Sequence, residues 1–214
     1  MPLVRVEDRR GCGQARRVAE ESAWGSGGRV LALSDGVFAI AATLLALDLR
    51  VPEGLGHAEL LGALRALLPA LFGYALTFLV IGVLWLGHHE LFDGLRRVSR
   101  PVATVNVVLL GLVALLPFSS SVLADYGDEP VVVITYAGNV AAIACAQLAI
   151  VAIAVRDRSL RGRARWAFAP SAVTAAIFVL SVPVALVRPQ WATAGWVLLV
   201  PAHLALTRLE RRSP

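Results

Sequence analysis

The chain has 214 residues, 57% of them hydrophobic and 16% charged, with a mean hydropathy of +0.71. A soluble domain carries roughly 45–50% apolar and about 25% charged residues, so this excess would leave apolar surface that water could not cover, and a bilayer is the solvent that fits. The net charge is +5 and every basic residue is arginine; these arginines lie mainly between apolar runs, which points to orientation in a membrane rather than to nucleic acid.

Residues 1–28 are polar, with Arg5, Arg9, Arg10, Arg16 and Arg17 and a glycine-rich stretch from Gly25 to Gly28. They hold no apolar core of the kind a cleavable signal peptide needs, and the expectation is a polar cytoplasmic leader. Six apolar stretches follow, near 30–50, 60–87, 101–124, 131–155, 166–187 and 190–208. Each is close to the roughly 20 residues that a spanning helix requires. The expected fold class is therefore all-α and integral to the membrane, with a six-helix domain over 29–208 and a cytoplasmic tail over 209–214. Only Arg188, Pro189 and Gln190 separate the last two stretches, so a re-entrant pair is the alternative there.

The arginines set the orientation. Besides the leader through Arg29, they cluster at Arg96, Arg97 and Arg100, at Arg156 to Arg165, and at Arg208 to Arg212. Six spans put all four groups on one side, which the excess of arginine makes cytoplasmic. The acidic loop of Asp125, Asp128 and Glu129 falls on the other side, as do Arg50, Arg65 and Arg188. Both termini are then cytoplasmic. Five or seven spans would strand the C-terminal arginines outside.

Most smaller signals read as structural. Cys12 and Cys145 form neither a metal pattern nor a disulfide framework and are expected as free thiols. Pro69, Pro117, Pro183 and Pro201 lie in or near spans, where neighbouring helices re-satisfy the freed backbone groups. Trp24, Trp166, Trp191 and Trp196 lie near the expected membrane interfaces. His88, His89 and Glu90 lack the His-x-x-x-His spacing of a zinc helix, so no metal site, cofactor or enzyme activity is expected.

The run from Arg29 to Arg50 is the most informative. At about 100° per residue, Gly36, Ile40, Thr43, Leu44 and Leu47 fall on one side, and Asp35, Ala39, Ala42 and Ala46 on the other. The alanine side suits close helix packing. Asp35 lies on it about a turn inside the membrane, where an ionisable group needs partners; the candidates are Trp85, His88, His89 and Asn106. Asp35 is then either a hydrogen-bonded anchor between helices or an ion or proton site. The stripe of Ile40, Leu44 and Leu47 is either a lipid-facing surface or the wall of a pore. Periodicity alone does not choose between these, and lipid contact is the ordinary reading.

Two motifs bear on that choice. The first is Arg29…Leu33-Ser34-Asp35-Gly36-Val37-Phe38-Ala39-Ile40-Ala41-Ala42-Thr43-Leu44-Leu45, continuing to Asp48…Val51-Pro52. The second is Phe72-Gly73-Tyr74…Phe78…Ile81-Gly82…Trp85…His88-His89…Phe92. Together they resemble the endosomal/lysosomal potassium channel family and its prokaryotic homologues, whose hallmark is an arginine followed four residues later by Phe-Ser-Asp. The resemblance covers about the first 95 residues. It implies a homotetramer, with the first helix of each subunit lining a central pore and no Thr-Val-Gly-Tyr-Gly filter loop; that string is absent here. A single six-helix unit without an organelle signal makes the plasma membrane the expected location. It implies a constriction at Ile40, Leu44 and Leu47, with Thr43 in the place of a pore-facing threonine. It also implies a polar network through Arg29, Ser34 and Asp35 with Trp85, His88 or His89, to which the periodicity adds Asn106. The hallmark phenylalanine is Leu33 in this chain, which alters packing at the helix end. The function so implied is a passive cation channel preferring potassium with modest selectivity. The rival is a proton leak or proton-coupled transporter using Asp35 and His88 or His89.

Overall fold

The computed structural model describes residues 27–161 and 168–212, apart from the side chains of Thr207 and residues 210–212. The leader before Gly27, with Cys12 and Trp24, lies outside the described residues, as do Trp166 and the last two residues of the tail. The regular secondary structure of the described residues is helical, apart from an isolated bridge between Leu95 and Leu160. The helices are α1 (Gly27–Asp48, its last turn a 3-10 helix), α2 (His57–Ala66), α3 (Leu68–Asp93), α4 (Arg100–Tyr126), α5 (Pro130–Arg156), α6 (Ala169–Val187), α7 (Pro189–Gly195) and α8 (Leu199–Arg212).

Five of these are long and apolar enough to cross a bilayer: α1, α3, α4, α5 and α6. The final segment is broken up. Helix α7 gives way to a 3-10 turn over Trp196–Leu198 before α8 begins, and Gln190, Thr193 and His203 interrupt its apolar character.

The second span begins later than hydropathy suggests. The stretch near 60–87 is divided by a turn at Leu67, so α2 is a separate short helix and the long helix is Leu68–Asp93. Glu59 explains the start of α2, because its carboxylate accepts the Gly56 N–H at 2.9 Å. Pro69 lies in the first turn of α3, where a missing N–H costs nothing. At its other end α3 runs on through His88 to Asp93, because His88 and Phe92 are buried there. Helix α4 turns at Leu115, two residues before Pro117, and Pro183 sits inside α6.

Helix α5 is the centre of the bundle. It packs along α4 on one side and α6 on the other. Val133, Tyr136, Ala137, Val140, Ile143, Ala144 and Ile150 are fully buried along it. Trp196, expected at a membrane interface, is instead buried: its ring stacks on Tyr136 with centroids 5.0 Å apart, and its Nε1–H donates to Ser181 Oγ at 3.0 Å. Trp191 is exposed, and Cys145 is a free thiol on the exposed side of α5.

Two sets of helix ends meet at opposite ends of the molecule. Arg96 N–H donates to Ser159 O and Arg161 N–H to Gly94 O, both at 2.7 Å, so the α3–α4 and α5–α6 connections are paired. A Cβ placed on Gly27 would sit 3.6 Å from Val98, which puts the start of α1 at the same end. At the other end Gln190 Nε2 donates to Asp128 Oδ1 at 2.9 Å, linking the α4–α5 and α6–α7 connections. The arginine-rich connections therefore lie together, as the charge distribution requires.

Candidate functional site

Helix α1 is the least enclosed of the five long helices: 22% of its apolar window is buried, against 44% for α5. Its packed face is Ser34, Phe38, Ala41 and Leu45, spaced four, three and four residues apart. This differs from the expected alanine side. Ala39 and Ala46 are exposed, while Asp35 and Ala42 lie at the edge of the packed face. The bulk of Phe38 and Leu45 fills the groove against the bundle, and Phe38 meets the ring of His88 at 5.4 Å. One residue of sequence rotates a side chain by about 100°, so choosing Ala39 in place of Phe38 moves the seam by more than a quarter turn.

Two hydrogen-bonded connections fasten this face. In the first, His88 Nε2 lies 2.8 Å from Asn106 Oδ1, Asn106 Nδ2 donates to Ser34 Oγ at 3.0 Å, and Ser34 Oγ donates to Val30 O at 2.9 Å. An amide oxygen only accepts, so His88 carries its proton on Nε2. Every donor then points from α3 through α4 towards α1. Ser34, His88 and Asn106 are buried, where unpaired polar atoms are costly. The His88 ring is also stacked on Phe92 at 4.3 Å. In the second connection, Trp85 Nε1–H donates to Asp35 Oδ1 at 2.9 Å. His89 stacks on Trp85 at 5.4 Å, and its Nε2 lies 3.4 Å from Asp93.

Of the four candidates for Asp35, Trp85 is therefore the one it bonds, and the two adjacent histidines belong to different connections. Arg29 is exposed and outside both. It stands five residues before Ser34, about 140° round the helix, which turns it off the packed face.

The other side of α1 is bare. Ile40, Leu44 and Leu47 are 59%, 42% and 58% exposed, and Leu33 and Thr43 are exposed beside them. The Thr43 hydroxyl donates to Ile40 O at 2.9 Å, which leaves its oxygen lone pairs outward.

Further polar pairs, unremarked in the sequence, cross the bundle. Gln147 Nε2 donates to Leu84 O at 2.8 Å and its Oε1 accepts from Ser171 at 3.0 Å. Tyr136 donates to Thr77 at 3.1 Å, and Thr77 pairs with Ser120 at 2.8 Å. The signal for them was available, since polar side chains inside apolar spans are interhelical partners by default. No cluster of metal-binding side chains occurs among the described residues.

Residues 29–117, which hold both connections and the exposed stripe, match the family model of the endosomal/lysosomal potassium channel TMEM175. Over that region the chain is similar to the TMEM175 channels. A potassium channel of Streptomyces collinus is 46% identical over 102 residues, 48% of this chain and 50% of that one. The human endosomal/lysosomal proton channel TMEM175 is 36% identical over 110 residues, 48% of this chain and 22% of that one. The chain thus spans about half the length of the bacterial relative and less of the human one. Among solved structures, the crystal structure of a lysosomal potassium-selective channel TMEM175 homolog from Chamaesiphon minutus superposes with a TM-score of 0.75 at 28% identity, covering 85% of this chain and 98% of that one. The matched residues run through α1, α2 and α3 to Pro117 in α4, and so include the three elements that the Ser34–Asn106–His88 connection joins.

Proposed function

We propose that this chain is a multi-pass membrane protein that conducts cations passively, prefers potassium with modest selectivity, and works as a homotetramer whose α1 helices surround a central pore. The observation that carries this reading is the division of α1 into two sides: one bonded to α3 and α4 through Ser34 and Asp35, the other an exposed apolar stripe. Polar bonds of this kind fasten other helices of the bundle as well; on α1 they would hold the exposed apolar side chains at a set distance from a pore axis, as a constriction requires.

In this reading Ile40, Leu44 and Leu47 form successive apolar rings, and Thr43 contributes a hydroxyl oxygen between them. An apolar ring narrow enough to lose its water blocks ions, and a small widening rewets it. Selectivity follows from how much hydration an ion sheds at Ile40 and Thr43, which favours the more weakly hydrated potassium. Ser34, Asp35, Trp85, His88, His89 and Asn106 set the width by holding α1 to its own subunit, and Arg29 anchors the cytoplasmic end. The segment 189–212 completes a sixth crossing, so that both termini lie in the cytoplasm, and the membrane is the plasma membrane.

The second reading is proton conduction through Asp35 and His88 or His89. It draws on the proton-channel description of the human relative and on an ionisable group within a span. Ion flux from liposomes holding the purified protein separates the two. Potassium flux that follows the Nernst potential without saturating supports the channel. Flux that appears only with a pH gradient, and is lost in Asp35→Asn, replaces it with the proton path.

A further inference from the structure

We infer that the arginine-lined pocket beside the start of α1 binds the headgroup of an anionic phospholipid of the cytoplasmic leaflet. The pocket has a volume of about 400 Å³ and lies where α1 begins and α3 ends. Arg96, Arg97 and Arg161 line it, all exposed. They come from two connections far apart in sequence, and the paired backbone bonds Arg96 N–H to Ser159 O and Arg161 N–H to Gly94 O bring them together. The positive charge is therefore held in a built recess and not spread over loose loops. Asp93 is the acidic group at its rim, and His89 already approaches it at 3.4 Å. Among the described residues no carboxylate forms an ion pair with any of the three arginines.

The remaining walls favour a lipid over a free anion. Leu31, Phe92 and Val98 form an apolar flank that an inorganic phosphate would leave empty and that a glycerol backbone and the first methylenes would cover. The depth also fits. The apolar helix α3 ends at Asp93, so in the proposed orientation the arginines just beyond it stand at headgroup level, where each strengthens binding to an anionic surface by about fivefold. Gly28 opens room on the α1 side, since a Cβ there would meet nothing within 4 Å. A bound headgroup would then touch both the α3–α4 connection and the start of α1. The inference uses the orientation proposed above but does not depend on ion conduction.

Lipid retention measures this without any flux. The purified protein, equilibrated with equal amounts of phosphatidylglycerol and phosphatidylcholine in detergent, is examined by native mass spectrometry. Wild type should retain phosphatidylglycerol preferentially, and Arg96→Gln/Arg97→Gln/Arg161→Gln should reduce that retention by about tenfold or more. Arg100→Gln/Arg156→Gln/Arg158→Gln removes the same charge outside the pocket and should keep the wild-type preference. Equal losses in the two triple variants would reduce the effect to general surface charge and overturn the site. Displacement of the lipid by inorganic phosphate at equal concentration would overturn the choice of a lipid. Where a triple variant does not fold, the single variant Arg161→Gln should lose retention a few-fold, and wild-type retention in it would overturn the site.

Discussion

The indole Nε1–H of Trp85 donates to Oδ1 of Asp35 at 2.9 Å, across 50 residues of sequence, and so ties α3 to α1. Asp35 is half-buried within a span, where a carboxylate without a donor is expensive. Trp85→Phe keeps the ring over His89 but removes the donor. It should cost about 1–3 kcal/mol, read as a lowered midpoint in thermal unfolding of the detergent-solubilised protein. Asp35→Asn, whose Oδ1 still accepts, should cost less. A larger loss for Asp35→Asn than for Trp85→Phe would mean that charge and not the hydrogen bond matters at this position.

Asn106 bonds two partners at once, and this makes it the most sensitive point of the first connection. Asn106→Leu leaves His88 Nε2 without its partner and takes one donor from Ser34, which keeps its bond to Val30 O, and should destabilise by about 1–3 kcal/mol. His88→Leu and Ser34→Ala each remove one end. The double variant Asn106→Leu/His88→Leu should be less harmful than the sum of its parts by about 0.5–3 kcal/mol, as expected for residues in contact. Additive losses would show that the three side chains do not act as one unit.

Ile40 lies on the exposed side of α1, away from both connections. In the proposed pore, Ile40→Asn would replace an apolar ring with a hydrated one and should raise single-channel conductance several-fold while lowering potassium-over-sodium preference, because a polar constriction no longer dewets. Thermal stability should change little. If conductance and preference both stay at wild-type values, the constriction lies elsewhere.

The backbone pairing at the arginine-rich end makes a prediction that needs no substitution. The amides of Arg96 and Arg161 are bonded across two connections. Their hydrogen exchange should therefore be slowed relative to the neighbouring Arg97 amide, by a factor set by how often the two connections separate. Exchange at Arg96 and Arg161 as fast as at Arg97 would mean that the connections move independently.

Much of the candidate site is legible in the amino-acid sequence. Asp35, Trp85, His88 and Asn106 stand out because polar groups in apolar helices require partners, and each has one. The positions that sequence misplaces are those that depend on bulk. Small-residue spacing puts the packed seam of α1 at Ala39 and Ala46, whereas Phe38 and Leu45 fill the groove. Trp196 reads as an interface residue, whereas it closes the core against Tyr136 and Phe178.

The sequence by itself determined that the chain carries long apolar runs suited to a bilayer and that its arginine-rich connections share a side, while it began the second run too early and read a sixth in a segment that the structure divides into short helices. Those properties follow from composition and charge counted along the chain, and the bilayer reads them locally. Only the tertiary structure decided that Trp85 serves Asp35 while His88 serves Asn106, that α1 turns Ile40 outward and Phe38 inward, and that Arg96 and Arg161 share one recess. Periodicity gives the angle of a side chain about its own axis. Which neighbour stands at that angle depends on how α1, α3 and α4 cross, and that is settled by packing between residues far apart in sequence.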